Sequence, residues 1–81
     1  MKRNKVESSN IISIGYDPEI KVLQIEFHSG GVYNYEPVEQ ELYHEMLVAK
    51  SIGSFFHKNI RMNKELTFKE VSTKINHKKT R

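Results

Sequence analysis

Two tyrosines separated by one residue are the side chains in this sequence best suited to binding chemistry. Tyr33 and Tyr35 lie in the segment "GGVYNYEPV". Alternate residues of a β-strand project from the same face, so both rings are expected on one side of a sheet. On an open face they would stack on the bases of a nucleic acid, as aromatic side chains do in RNA-binding sheets. On a covered face they would fill a small core instead.

The length of the preceding turn decides between these two positions. A two-residue turn would place both rings opposite the apolar face of the preceding strand. One further loop residue pairs Phe27 with Tyr33 and brings both rings into the core. Polarity favours this second register, because it leaves Asn34 and Glu36 in solvent. The sequence alone leaves both registers open.

A cluster of basic residues follows near position 60. On a helix, His57, Lys58 and Arg61 lie three or four residues apart and therefore share a face. Such a cluster suits phosphate contacts, and it equally suits the solvated C-terminal end of a helix. Residues 1–61 carry seven Lys and Arg against eight Asp and Glu, whereas residues 62–81 carry six against two, which together give the net charge of +3. Long-range attraction to nucleic acid is therefore expected mainly from residues 62–81.

Few other side chains suggest chemistry. The sequence has no Cys, so disulfides and zinc–thiolate sites are excluded. Glu41, His44 and Glu45 share a helix face, but the segment lacks the second His of a zinc motif. We therefore expect no metal, no cofactor and no enzymatic activity. Neither a membrane-spanning apolar stretch nor a signal core is evident, so we expect a cytoplasmic protein without membrane contact.

The elements that position these residues follow from the periodicity of apolar side chains. Alternation predicts three strands, in "NIISIGYD", "KVLQIEF" and "VYNYE", joined as an antiparallel meander. After Pro37 the period lengthens, which predicts a helix in "PVEQELYHEMLVAK" and a short second helix around "FFHKNI". The expected fold is α+β, with two helices on one face of a three-stranded sheet. The expected core comprises Ile12, Ile14, Leu23, Ile25, Phe27, Leu42, Met46, Phe56 and Ile60.

The chain divides into three parts by composition. Residues 1–8 are polar and are expected to be flexible, residues 9–61 form the folded domain, and residues 62–81 form a basic tail. The tail is expected to be largely disordered, because it contains few apolar side chains. Phe68 and Val71 are expected at most to dock as a short additional element.

Three segments resemble the KTSC domain, a small domain found at the C-terminus of some lysyl-tRNA synthetases and as free-standing bacterial or phage proteins. They are "SSNIISIGYD", "LQIEFHSGGVYNY" and "AKSIGSFFHKNIR". The resemblance covers roughly residues 8–61. It implies no catalytic residues, and it carries a suggested link to RNA.

These observations lead to two hypotheses. The first is a non-enzymatic module that binds RNA or another nucleic acid, with Tyr33, Tyr35 and Tyr16 contacting bases. Lys58, Arg61 and the basic tail would hold phosphates. The second is a protein–protein adaptor or inhibitor, of the kind a phage would encode, that covers the surface of a host protein through a sheet edge or a polar helix. A basic groove would favour the first, and an exposed apolar patch the second.

Overall fold

The computed structural model describes residues 2–72, so the last nine residues of the tail predicted to be largely disordered lie outside this range. A five-stranded antiparallel sheet carries two helices on one face. The strands are β1 (Asn4–Lys5), β2 (Ile11–Asp17), β3 (Val22–Phe27), β4 (Val32–Glu36) and β5 (Thr67–Ser72). The helices are α1 (Gln40–Leu47) and α2 (Ile52–Phe56), and a π-helical turn (His57–Arg61) continues α2.

The predicted α+β class is confirmed, but the three-stranded meander is wrong because the sheet has five strands. The predicted meander corresponds to β2, β3 and β4. Strand β1 comes from the polar start and has two residues, too few to show an alternating pattern. Strand β5 is the additional element that contains Phe68 and Val71, and it pairs with β4. Each strand lies beside its neighbour in the sequence, so the sheet order is β1-β2-β3-β4-β5.

A β-bulge in β2 alters the predicted core. The register shifts between Ile11 and Ser13, so that Ile11 pairs with Phe27 and Ser13 with Glu26. Ile12 is the extra residue at this point. As a result Ile11 is fully buried, whereas Ile12, the expected core residue, is only partly buried. A bulge of this kind leaves no mark in simple alternation.

The core lies between the helices and the sheet face that bears Ile14, Leu23 and Ile25. Six of the predicted core residues are buried there, namely Ile14, Leu23, Ile25, Met46, Phe56 and Ile60. The predicted members Phe27 and Leu42 are partly buried and pack against this cluster. Ile11, Tyr35 and Val38 complete it.

The opposite face of the sheet carries a polar network. The Arg3 side chain donates from Nε to Ser13 Oγ (3.1 Å) and from Nη1 to Gln24 Oε1 (2.6 Å). Ser13 Oγ donates in turn to Glu26 Oε1 (2.8 Å), and Gln24 Nε2 donates to Asn34 Oδ1 (2.9 Å). Ser13 is 5% exposed, so these bonds satisfy a polar group that would otherwise be buried without a partner.

The N-terminal residues cross this face at Gly15. A Cβ placed on Gly15 would lie 2.6 Å from the backbone oxygen of Lys2 and 3.0 Å from Cγ of Arg3. Only a residue without a side chain permits so close an approach. Within residues 2–72, neither helix has the length and apolar character needed to cross a membrane.

A candidate anion-binding groove

The helical segment from Ile52 to Arg61 places the basic cluster at the surface. Ser51 begins it, because its Oγ accepts a hydrogen bond from the backbone N of Ser54 (3.2 Å). Phe56 and Ile60, four residues apart, anchor one side in the core at 3% and 1% exposure. The basic side chains His57, Lys58 and Arg61 are exposed.

The second half of this segment has π-helical rather than α-helical hydrogen bonding. The backbone N of Met62 donates to the carbonyl oxygen of His57 (3.1 Å), five residues earlier. Such wide turns are rare and often occur at functional sites. Here the wide turn bears Lys58 and Arg61.

A groove of about 560 Å³ lies between this segment, the loop before β2 and the turn between β3 and β4. Of the charged side chains that line it among residues 2–72, Lys50, Lys58 and Arg61 are cations and Glu7 is a carboxylate, which gives a net charge of +2. Two histidines, five serines and one asparagine complete the polar lining, namely His28, His57, Ser8, Ser9, Ser29, Ser51, Ser54 and Asn10. The composition suits an anion that is bound by charge and by hydroxyl hydrogen bonds.

Three parts of the chain are tied together around the groove. The backbone N of His28 donates to the oxygen of Asn10 (2.9 Å), which joins the β3–β4 turn to the loop before β2. In that loop, Ser8 Oγ accepts from the backbone N of Ile11 (3.3 Å). Ser8 also approaches α2 at Gly53, where a Cβ would lie only 3.1 Å from its Oγ. The groove walls are therefore held by the fold before any ligand arrives.

The structure places the tyrosine pair on the covered face of the sheet. Ile25 pairs with Tyr33 and Leu23 with Tyr35, so the pairing of Phe27 with Tyr33 does not occur. A three-residue turn accounts for this register, because Gly30 N donates to Phe27 O (3.0 Å) and Phe27 N donates to Gly31 O (3.1 Å). Both glycines have positive φ, 99° and 114°, which side-chain-bearing residues rarely adopt.

Tyr35 is a core residue with 6% of its surface exposed. Its ring meets that of Phe56 edge-on, with centroids 5.2 Å apart, and lies beside that of Phe68 at 5.9 Å. Burial raises the pKa of the Tyr35 hydroxyl, and the nearby charge of Arg61 partly opposes this. Arg61 thus lines the groove and also acts electrostatically on the Tyr35 hydroxyl. Tyr33 is half-buried, with Phe27 and Phe68 as its ring neighbours.

Tyr16 lies apart from the groove. Its hydroxyl donates to the carbonyl oxygen of Val38 (2.6 Å), and its ring stacks on Tyr43 with centroids 4.3 Å apart. Burial raises its pKa, and the carboxylate of Glu39 adds to this. Tyr16 therefore fixes the start of helix α1 against β2.

Of the five predicted site residues, the structure brings Lys58 and Arg61 together in the groove. The three tyrosines do not line it. The groove residues that sequence reasoning missed include Lys50, His28 and Ser8. The only sequence signal for these three residues was indirect, because all three lie in segments that resemble the family. No periodicity connects them, so their meeting in one groove was not predicted.

Comparison with known proteins places the groove within a shared domain. The sequence profile described as "KTSC domain" matches residues 7–63, which include every residue that lines the groove. A protein of Stutzerimonas stutzeri, described as uncharacterized, is 46% identical over 57 residues, which make up 70% of this chain and 80% of that protein. A lysine–tRNA ligase of Nostoc sp. is 39% identical over 57 residues, 70% of this chain but 10% of the ligase.

A solved structure shows the same fold. The crystal structure of a KTSC domain protein from Yersinia pestis superimposes with a TM-score of 0.80 at 32% sequence identity. The match covers 88% of this chain and 97% of that one.

Proposed function

The chain belongs to the KTSC domain family, and on that premise we propose that it is a non-enzymatic binding protein for nucleic acid, RNA above all. Phosphate groups occupy the groove between α2 and the loop before β2. The observation that carries the proposal is the concentration of Lys50, Lys58 and Arg61 around one preformed groove.

Local charge matters more for this proposal than the charge of the whole chain. Residues 1–61 have a slight excess of acidic side chains, which alone would disfavour phosphate binding. A groove whose lining carries a net positive charge nevertheless focuses the field and attracts counter-charges locally. Because salt screens charges beyond roughly 8–10 Å at physiological ionic strength, acidic residues elsewhere on the surface weaken this attraction little.

The relative from Nostoc supports RNA as the nucleic acid. That protein is named as a lysine–tRNA ligase, and the name specifies an RNA substrate. The region similar to this chain makes up 10% of the ligase. A phosphate-binding domain attached to such an enzyme would lie close to RNA.

Within this proposal the tyrosines have a supporting role. Tyr35 is too buried to stack on a base, and its ring packs edge-on against that of Phe56, which lines the groove. It helps to hold this wall of the groove in position. Tyr16 secures helix α1 and takes no part in binding.

The test is a fluorescence-anisotropy titration of the full chain with a short single-stranded RNA and with tRNA, at low and moderate salt. Binding is expected to weaken as salt rises, because each phosphate contact releases counterions. Lys58→Ala is expected to weaken binding of both RNAs and to lower the slope of log K against log salt by about 0.7. Lys64→Ala is the matched control, because Lys64 is an exposed cation that does not line the groove.

Two results would contradict the proposal. Equal losses in Lys58→Ala and Lys64→Ala would show a diffuse charge effect rather than a groove. No binding at low salt, with the fold intact by circular dichroism, would refute nucleic-acid binding and favour the adaptor hypothesis. The exposed Leu47 and Val48, at 40% and 69% exposure, would then be the first surface to test.

A further inference from the structure

Phe68 is a large apolar side chain left exposed in an otherwise well-covered aromatic cluster. It lies on β5, one of the two edge strands of the described sheet, and 66% of its surface is exposed. Its ring lies beside those of Tyr35 (5.9 Å, planes 29° apart) and Tyr33 (6.2 Å, planes 48° apart). Two neighbouring rings thus hold it in place while much of it still faces solvent.

This exposed ring and the groove share a neighbour. Phe56 lines the groove, its ring lies 5.2 Å from that of Tyr35, and the Tyr35 ring packs beside Phe68. The groove with its three cations and the exposed aromatic ring are therefore linked through the same tyrosine. Their pairing matches the two parts of a nucleotide, a phosphate and a flat base.

We propose that Phe68 stacks on an unpaired base of a single-stranded nucleic acid whose backbone occupies the groove. This inference rests on the proposed function and assigns its selectivity. The bases of a duplex are already stacked on both faces, so only a single strand can offer a base to the ring. Phe68 lies beyond residues 7–63, so this contact belongs to the segment that follows the family match.

The test compares two RNA probes of equal length in anisotropy titrations with the full chain. One carries bases and the other is abasic, so that both present the same phosphates. The unmodified protein is expected to bind the base-carrying probe roughly tenfold more tightly, a typical effect of one stacked base. A duplex of the same sequence is expected to bind no better than the abasic probe.

Substitutions at Phe68 distinguish base stacking from nonspecific apolar contact. Phe68→Ala and Phe68→Leu are both expected to abolish the preference for bases, because leucine keeps an apolar contact but has no aromatic face. Val71→Ala is the matched control, since Val71 lies on the same strand and is 43% exposed. It is expected to keep the full preference. In Phe68→Trp, the indole emission is expected to be quenched by the base-carrying probe and not by the abasic one.

The outcomes distinguish this inference from the proposed function. A base preference that survives Phe68→Leu, or an absence of quenching in Phe68→Trp, would overturn the inference, while salt-sensitive binding lost in Lys58→Ala would leave the groove proposal standing. If neither probe binds the unmodified protein, both fall. Should Phe68→Ala fail to fold, the Phe68→Leu and Phe68→Trp variants decide the result.

Discussion

Replacing Tyr35 with alanine tests the placement of the tyrosine pair most directly. Tyr35 is 6% exposed, and its ring packs against both Phe56 and Phe68. Truncating a buried aromatic side chain to alanine typically costs about 3–5 kcal/mol, which includes the cavity left behind. The two ring contacts contribute about 0.5–1.5 kcal/mol each beyond the buried area. We therefore expect Tyr35→Ala to lower the free energy of unfolding by an amount toward the upper end of the range of about 3–5 kcal/mol.

A loss of this size is large for so small a protein. At about 0.05–0.15 kcal/mol per residue, a chain of 81 residues has a free energy of unfolding of roughly 4–12 kcal/mol. Each kcal/mol shifts the melting temperature of a domain of this size by about 4–8 °C. Tyr35→Ala is thus expected to lower the melting temperature by roughly 15–40 °C, or to unfold the protein outright.

Thermal and urea unfolding followed by circular dichroism would measure this effect. Tyr35→Phe keeps the ring and its contacts, so it is the matched control and is expected to unfold close to the unmodified protein. Tyr33→Ala removes a ring that is only half-buried and is expected to cost clearly less. A Tyr35→Ala variant that melts within a few degrees of the original would show that this ring is not part of the core and that the register between β3 and β4 is wrong.

Two further predictions concern other parts of the fold. Gly15→Ala is expected to lower the free energy of unfolding by about 1–3 kcal/mol, because its Cβ would press on the backbone of Lys2; unchanged urea unfolding would contradict this crossing. The raised pKa values of Tyr16 and Tyr35 mean that the folded state holds these protons more tightly than the unfolded state. Their contribution to stability is therefore complete below about pH 10 and is lost as the pH rises beyond it. When urea unfolding is measured above about pH 10, the free energy of unfolding of Tyr35→Phe is expected to fall less with pH than that of the unmodified protein. Equal falls in the two proteins would argue against the burial of this hydroxyl.

The parts of the fold that local sequence patterns encode were predictable. Alternating apolar residues identified the central strands, and the spacing of Phe56 and Ile60 identified the continuous helical segment formed by α2 and the π-helical turn, because both patterns arise within a continuous stretch of chain. The bulge at Ile12 and the two-residue strand β1 were not predictable, since each depends on a pairing partner. The three-residue turn at His28–Gly30 pairs Tyr33 with Ile25 instead of the predicted Phe27. Because these two partners are two residues apart, they lie on the same face of β3. The polarity of Asn34 therefore still indicated the correct face for Tyr33.

The candidate site was predictable only in part for a similar reason. Lys58 and Arg61 share one helical segment, and their spacing brought them together in the sequence. Lys50, Ser8 and His28 reach the same groove from other segments, through contacts such as that between Ser8 and Gly53. Such long-range contacts appear only once the chain has folded.

The order of the strands also has a consequence for how the protein assembles. From β1 to β4, every strand pairs with the one next to it in the chain, and such local contacts form quickly during folding. Strand β5 instead returns to β4 across residues 37–66, and closing that longer loop carries a greater entropic cost. Strand β5 is therefore expected to dock last and to open first, with backbone amides that exchange hydrogen faster than those of β2 and β3. A ligand that contacts both the groove and β5 would slow that exchange. Its binding would therefore stabilise the pairing of β5 with β4 as well as occupy the groove.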